Sequence, residues 1–415
     1  MASASHNKKV WLTIFVASLG YFVDIYDLQL FNMVSKKSLA GIGITDPALV
    51  DIYDYSLFLW QMSGMLVGGL LWGIMGDRKG RKSILFGSIV MYSLANIANA
   101  FVVNVDQYAV VRFFAGLGLA GELGAAITLV SEIMDKEKRG YGTMIIVSTG
   151  ALGAVVGALV ALQDFSLFGL QSWQTSYIIG GVLGLLLLFL RFGTMESGMF
   201  DHAKTEGIQR GNFFHLFATR ERALRYLACI AVGLPIWFCI GILIKFSAKF
   251  ATTNGVTGGD VQVITAMMLA YIGLSVGDLI SGLLSQWLKS RKKVIALYLV
   301  VTLVVTAVFL YGPSMPLPVF YFLCFMVGTA TGYWALFVQV ASEQFGTNIR
   351  ATATTTTPNF VRGAVVPMVL SYKAMETGIG SVHSALVVGG IAIGLAFLAL
   401  WSLNESFSKD LNYHE

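Results

Sequence analysis

Charged residues interrupt runs that are otherwise almost wholly apolar: Asp24 and Asp27, then Arg112 and Glu122, and in the second half Lys245, Asp278 and Arg362. Asp24 and Asp27 stand three residues apart, which puts both on one face of a helix. A carboxylate near a guanidinium is drawn towards ionisation while burial favours the neutral acid, so such a pair is poised to take up or release a proton. Arg362 offers a planar fork of donors suited to a carboxylate or similar oxyanion. These residue types suggest proton exchange and anion binding. The histidines (His6, His202, His215, His383, His414) are scattered, and Cys229, Cys239 and Cys324 all lie in apolar runs. That pattern offers no metal-ligand spacing, no disulfide scaffold and no paired catalytic groups for an intramembrane enzyme. No metal and no cofactor are expected.

The elements holding these charges are set by composition. Of 415 residues, 56% are hydrophobic and 12% charged, against about 25% charged in a soluble domain. The chain reads as an all-α integral membrane protein. Apolar stretches long enough to cross a bilayer fall at 10–34, 52–76, 83–103, 107–131, 141–163 and 173–191, and again at 223–248, 262–288, 294–312, 317–340, 352–373 and 381–403. This gives twelve transmembrane helices in two six-helix bundles, 1–191 and 223–415, joined by a polar linker at 192–222.

Lys and Arg placement gives the orientation. Of 28 such residues, 21 fall on the side of the N-terminus and four opposite, which by the positive-inside rule places both termini in the cytoplasm. The net charge of +5 thus follows from topology and does not point to nucleic acid. The bilayer is the expected surrounding.

Depth follows from the helical rise of about 1.5 Å per residue. Asp24 and Asp27 lie about 21 and 26 Å above Val10, and Arg112 reaches about the same level from the outer side. Asp27, with Asp24 and Arg112, is the expected proton-coupling group; a static ion pair between the first and fourth helices is the alternative. Glu122 lies about 15 Å deeper than Arg112. It is either a proton relay, a cation site, or a neutral acid bonded to backbone. Arg362 lies about 18 Å and Asp278 about 16 Å above the inner face, as an anion site or as a structural pair. Pro358 and Asn359 are expected to loosen the helix before Arg362. Lys245 lies near an outer end and contacts substrate or snorkels outward.

The halves repeat. Gly121, Glu132 and Arg139 recur with identical gaps as Gly332, Glu343 and Arg350. Gly73-Ile-Met-Gly-Asp-Arg-Lys-Gly-Arg-Lys82 recurs as Gly282-Leu-Leu-Ser-Gln-Trp-Leu-Lys-Ser-Arg-Lys292, one residue longer and with Gln286 in place of the aspartate. Duplicated halves suggest alternating access around a midplane site.

The first of these loops resembles the signature between helices 2 and 3 of the major facilitator superfamily. Asp24-Ile-Tyr-Asp27, Arg112 and Glu196-Ser197 are similar to its metabolite:proton symporters and sugar porters, and Arg350-Ala-Thr-Ala with Arg362-Gly and Pro367 to its organic-ion transporters. Two departures stand out: Met195-Glu196-Ser197-Gly198 is a reduced form of the family's motif, and the outer loop 35–51 is short. A bacterial inner-membrane protein acting as a monomer fits the resemblance best. It implies that Asp77, Arg78, Arg81, Glu132, Arg139, Glu343 and Arg350 form a cytoplasmic gate. Asp77 is further expected to cap the eleventh helix, where the dipole favours negative charge.

Together these features lead to an expectation of proton-coupled symport of a small organic anion. The binding pocket is expected to mix Arg362, Asn359 and Gln61 with Tyr333, Trp334 and Lys245. A proton-driven exporter of amphiphilic or cationic compounds is the alternative, favoured by the intramembrane carboxylates and opposed by Arg362. A receptor role is not expected, since the tail after residue 403 is short.

Overall fold

The computed structural model describes residues 2–163, 166, 169–191 and 211–415. The Glu196-Ser197 motif and most of the 192–222 linker lie outside the described residues. Ten helices among these residues are long and apolar enough to cross a membrane. One of them, Arg350–Ser402, contains two spans, because Gly380 (φ 81°) breaks the helical backbone within it. Arg81–Asn99 completes the twelve.

We number them α1 (Ala2–Gly41), α2 (Pro47–Lys79), α3 (Arg81–Asn99), α4 (Val105–Ile133), α5 (Arg139–Leu162) and α6 (Ser172–Arg191). The second half follows as α7 (Arg220–Ile244), α8 (Val263–Trp287), α9 (Arg291–Tyr311), α10 (Leu317–Glu343), α11 (350–379) and α12 (381–402). Local chemistry sets the starts. Asp46 accepts from the N–H groups of Ala48 and Leu49 at 2.8 and 3.2 Å, with Pro47 opening α2. Asn104 and Thr219 cap α4 and α7 in the same way.

Several spans run past their expected ends. Helix α1 continues to Gly41 and α11 to 379, which brings Lys36, Lys37 and Lys373 into helices rather than loops. Hydropathy marks the buried stretch, whereas the helix ends only where the backbone is broken, as near Gly43 (φ 92°).

Four helices are irregular. Helix α4 is interrupted between Leu119 and Glu122, and α10 between Ala330 and Trp334. These breaks contain the repeat-related Gly121 and Gly332. Helix α7 ends in a π-helical turn, Cys239–Ile244, and α11 is interrupted at Ala364. Pro358, expected to loosen α11, lies inside a regular stretch instead. Asn359 there donates from Nδ2 to Ala120 O at 2.8 Å and Thr355 O at 2.7 Å, so its amide holds α11 to the break in α4.

Within the first half, α1 packs on α5, α2 on α4 and α3 on α6; within the second, α8 packs on α10 and α7 on the α11–α12 segment. Between the halves, α2 packs on α11 and α5 on α8. These two contacts exchange under the duplication, so the six-helix bundles are pseudo-symmetric. Trp60, Leu186, Phe189, Leu398 and Trp401 are exposed on the outside of the assembly, as suits a surface against lipid tails.

Candidate functional site

Between the bundles lies a small cavity, with room for little more than a water molecule. Tyr21, Ile25, Val147 and Ala151 line it from α1 and α5, and Ile236, Trp237, Ile240, Tyr271, Leu274, Trp334 and Arg362 from the second half. The wall is apolar and aromatic with one cation. Arg362 is 1% exposed. Its Cζ lies 5.9 Å from the Trp237 ring centroid and 5.6 Å from that of Trp334. Its contacts are long and neutral: Nη1 donates to Asn359 Oδ1 at 3.4 Å and Nη2 to Tyr21 Oη at 3.5 Å, while Nε has no hydrogen-bond partner among the described residues. Trp334 Nε1 also donates to Tyr21 Oη, at 2.9 Å.

Asp278 is not the fixed partner of Arg362. Its Oδ1 accepts from Ala335 N at 2.8 Å, so it caps the inner half of α10, where the helix dipole favours a carboxylate. Glu122 is the first residue of the inner half of α4 and is fully buried. Of the expected pocket residues, Arg362 and Trp334 line the cavity. Tyr333 points away and donates to Val232 O at 3.0 Å. Gln61 is buried, has no side-chain hydrogen-bond partner among the described residues and lies outside the lining. Lys245 is on the far side from the basic loops. Its Nζ donates to Asn32 Oδ1 at 3.0 Å, lies 3.4 Å from Asp54 Oδ2 and sits 4.6 Å over the Phe58 ring. It therefore ties α7 to α1 and α2. Trp237, Tyr271, Asn32 and Asp54 had no motif to mark them.

Asp24, Asp27 and Arg112 are all fully buried in the first bundle. Asp27 feels the charges of Asp24 and Arg112, and the Asn96 amide faces it. Neither Asp27 oxygen, nor any Arg112 side-chain nitrogen, closes a well-formed hydrogen bond among the described residues. Arg112 rests on rings instead, 4.6 Å from the Phe31 centroid and 5.9 Å from that of Tyr177. The level match read from the sequence thus brings Asp27 and Arg112 together without a closed salt bridge among the described residues. Gly180 makes the room: a Cβ there would stand 2.1 Å from Asp27 Oδ1.

The loop charges cluster at the basic face. Arg81 grips Glu132 through Nε and Nη2 at 3.1 and 2.8 Å and lies 3.5 Å from Asp77. Glu132 also meets Arg350 Nη1 at 2.8 Å. In the related cluster Glu343 meets Arg139 at 2.7 Å and Arg291 at 3.6 Å. Asp77 caps α11, accepting from Ala351 N, Thr352 N and Thr352 Oγ1 at 3.0, 2.8 and 2.7 Å. Arg78 is exposed and stands outside both clusters.

The 403–415 tail adds a layer that no motif announced. Glu343 accepts from Ser406 Oγ at 2.6 Å, Arg139 Nη2 donates to Lys409 O at 2.9 Å, and Arg350 Nη2 donates to Leu411 O. Glu415 bridges Arg222 and Arg225 at 3.0 and 2.8 Å.

The comparisons with known proteins agree with this architecture. The chain is 24% identical over 408 residues to a probable 4-methylmuconolactone transporter of Cupriavidus pinatubonensis, covering 98% of this chain and 92% of the relative. It is 26% identical over 412 residues to the 3-(3-hydroxy-phenyl)propionate transporter of Escherichia coli, covering 96% of each. Its fold matches the proton:xylose symporter XylE with a TM-score of 0.75 at 16% identity, over 98% of both chains. It also matches the E. coli fucose:proton symporter FucP with a TM-score of 0.72 at 12% identity, over 95% of this chain and all of the other. The family model described as Major Facilitator Superfamily matches residues 10–364, and the chain therefore belongs to that superfamily and is a transporter, not an enzyme.

Proposed function

We propose that this transporter carries a small organic anion across a bacterial inner membrane by symport with protons, as a monomer with both termini in the cytoplasm. The observation that carries this reading is Arg362: a buried guanidinium on the cavity wall whose polar contacts among the described residues are neutral and leave Nε unpaired. A charge at that depth is expensive unless compensated. A substrate carboxylate would supply the compensation through a bidentate bond, and the indoles of Trp237 and Trp334 would flank its apolar body. Curated relatives named for a muconolactone and a hydroxyphenylpropionate support the substrate class. Solved neighbours named as proton symporters support the coupling, for which Asp27 is the proposed proton carrier. In this reading bundles 1–191 and 223–415 rock about the cavity, joined by the 192–222 linker, with the Glu132 and Glu343 clusters closing the cytoplasmic side and Lys245–Asp54 the outer side.

A ligand-induced thermal-shift screen of organic acids, amines and sugars on the purified protein tests this. Specific binding raises apparent stability by mass action, by about 2.7 kcal/mol at a hundredfold excess over Kd. A rise confined to organic acids supports the reading. A rise confined to amines or uncharged sugars overturns it.

A further inference from the structure

Asp27 is fully buried in the first bundle and does not line the central cavity. Its proton therefore needs a route of its own. A chain of hydroxyls runs towards it from the outer end of the same bundle. Ser38 Oγ lies 3.0 Å from Tyr108 Oη, and Tyr108 Oη lies 2.6 Å from Tyr177 Oη. All three residues are fully buried. Ser38 is in the last turn of α1, Tyr108 in the first turn of α4 and Tyr177 in the second turn of α6, so three outer helix ends meet here. Lys36 and Lys37, exposed beside Ser38, mark the outer surface one turn away.

At its inner end the chain reaches the titrating cluster. Tyr177 interacts electrostatically with Arg112, Asp27 and Asp54, and its ring also packs under Arg112. The other groups facing Asp27 are Asp24, Tyr26 and Asn96. Tyr26 is committed elsewhere, donating to Ser176 O at 3.0 Å. The rings of Tyr108 and Tyr177 pack edge-on with Phe31, Trp173 and each other at 5.9–6.4 Å. Phenylalanine would make those ring contacts equally well. The hydroxyls are what packing leaves unexplained.

We propose that Ser38, Tyr108 and Tyr177 form a proton-entry relay that charges Asp27 from the outer side, separate from the path of the substrate. A hydroxyl both donates and accepts. A hydronium outside gives its proton to Ser38 Oγ, whose hydroxyl turns from the Ser35 carbonyl it donates to at 2.9 Å and passes its own proton to Tyr108, and Tyr108 passes its own to Tyr177. The Tyr177 proton reaches the Asp27 carboxylate through one bridging water. One O–H bond is lost from the hydronium and one is gained on Asp27. Each hydroxyl ends with the proton count it began with. The relay rests on the proposed role of Asp27, so the test reads the two separately.

The full chain in lipid nanodiscs is subjected to a jump from alkaline to acidic pH while infrared absorption follows the carboxyl band of Asp27, assigned by its loss in Asp27→Asn. The relay predicts that Tyr108→Phe and Tyr177→Phe protonate Asp27 to the wild-type extent but slower by an order of magnitude or more, with Ser38→Ala intermediate. Wild-type rates in both Phe variants would overturn the relay and leave Asp27 as carrier. A reduced final extent would assign the hydroxyls to structure and also overturn it. If no Asp27 band titrates in the wild type, the proton-carrier reading fails first and the relay with it.

Discussion

Glu132 of the first repeat pairs with Arg350 of the second at 2.8 Å, and Glu343 of the second pairs with Arg139 of the first at 2.7 Å. Each glutamate stands seven residues from the arginine of its own repeat, yet takes the arginine of the other. The duplicated motif thereby fastens the bundles to each other at the face with the basic loops. Breaking one buried partner leaves the other charge uncompensated, so in the proposed cycle these pairs would act as a latch whose opening must be offset by contacts made elsewhere.

The latch has a removable part in Asp77. Asp77→Asn keeps the shape of the side chain but removes the charge that caps α11. We expect a cost of about 1–2 kcal/mol to the state closed at this face, which shifts the population about five- to thirtyfold towards the cytoplasm-open state. Spectroscopic distances between labels on 79 and 289 measure it. An unchanged distribution would leave Asp77 with no part in gating.

The second copy of that loop lacks the charge. Gln286 sits over Gly140 in the first turn of α5, and its Nε2 has no hydrogen-bond partner among the described residues. Gln286→Glu adds a carboxylate at a helix N-terminus beside Arg291, the mate of Arg81. The closed face should gain about 0.3–1 kcal/mol, seen as slower exchange and a higher melting temperature. Faster exchange would show that the two loops are not equivalent.

The tail should be a pH-sensitive part of the same closure. Glu405 caps α9, accepting from Ser290 Oγ and from Arg291 and Lys292 N–H groups at 2.9 and 3.2 Å. Burial raises its pKa, but the bonds from Ser290, Arg291, Phe407 and Lys292 outweigh burial and hold the carboxyl below the usual glutamate range. Its stabilising contribution is therefore full above the unfolded value of about 4.3 and is lost as pH falls through the lower folded value. Protection of 403–415 against hydrogen exchange, taken relative to the intrinsic rate at each pH, should fall on acidification in the wild type and stay unchanged in Glu405→Gln. Gly346→Ala gives an independent check, since a Cβ there would meet the tail backbone at 2.9 Å. It should free the tail at neutral pH.

Asp27→Asn should retain substrate exchange yet lose accumulation driven by a pH gradient. Uptake into proteoliposomes with and without an imposed gradient separates the two. Gradient-driven accumulation at the wild-type level in the variant would remove Asp27 from coupling.

The sequence carried the large features because each follows from a local rule. Apolar run length located every span, the repeated Glu and Arg positions marked the residues that pair across the bundles, and one loop motif placed Asp77 at the start of α11. Partners that depend on three-dimensional packing were not legible. Nothing near Trp237 or Asp54 in the chain marks them as neighbours of Arg362 and Lys245. Asp278 looked like a partner for Arg362 because the two share a depth, but depth does not specify the side of a helix, and Asp278 faces the broken α10. Asn359 looked like a pocket amide, and the exposed carbonyl of Ala120 claims it instead. The docking of the tail was unreadable because the arginines it meets, Arg139 and Arg350, bond its backbone carbonyls, which every sequence has.

The central claim is that Arg362 binds the carboxylate of the substrate, and titration calorimetry tests it most directly. The ligand is the organic acid giving the largest shift in the thermal screen, titrated into wild type, Arg362→Lys and Arg362→Ala. Lys keeps the charge but loses the planar fork, so affinity should fall about ten- to a hundredfold, as for a lost charge-assisted bond of about 1.5–3 kcal/mol. Arg362→Ala should melt as a folded protein and bind no measurable acid. Affinity unchanged in Arg362→Ala would contradict the account and move the site to the carboxylates Glu122 and Asp278.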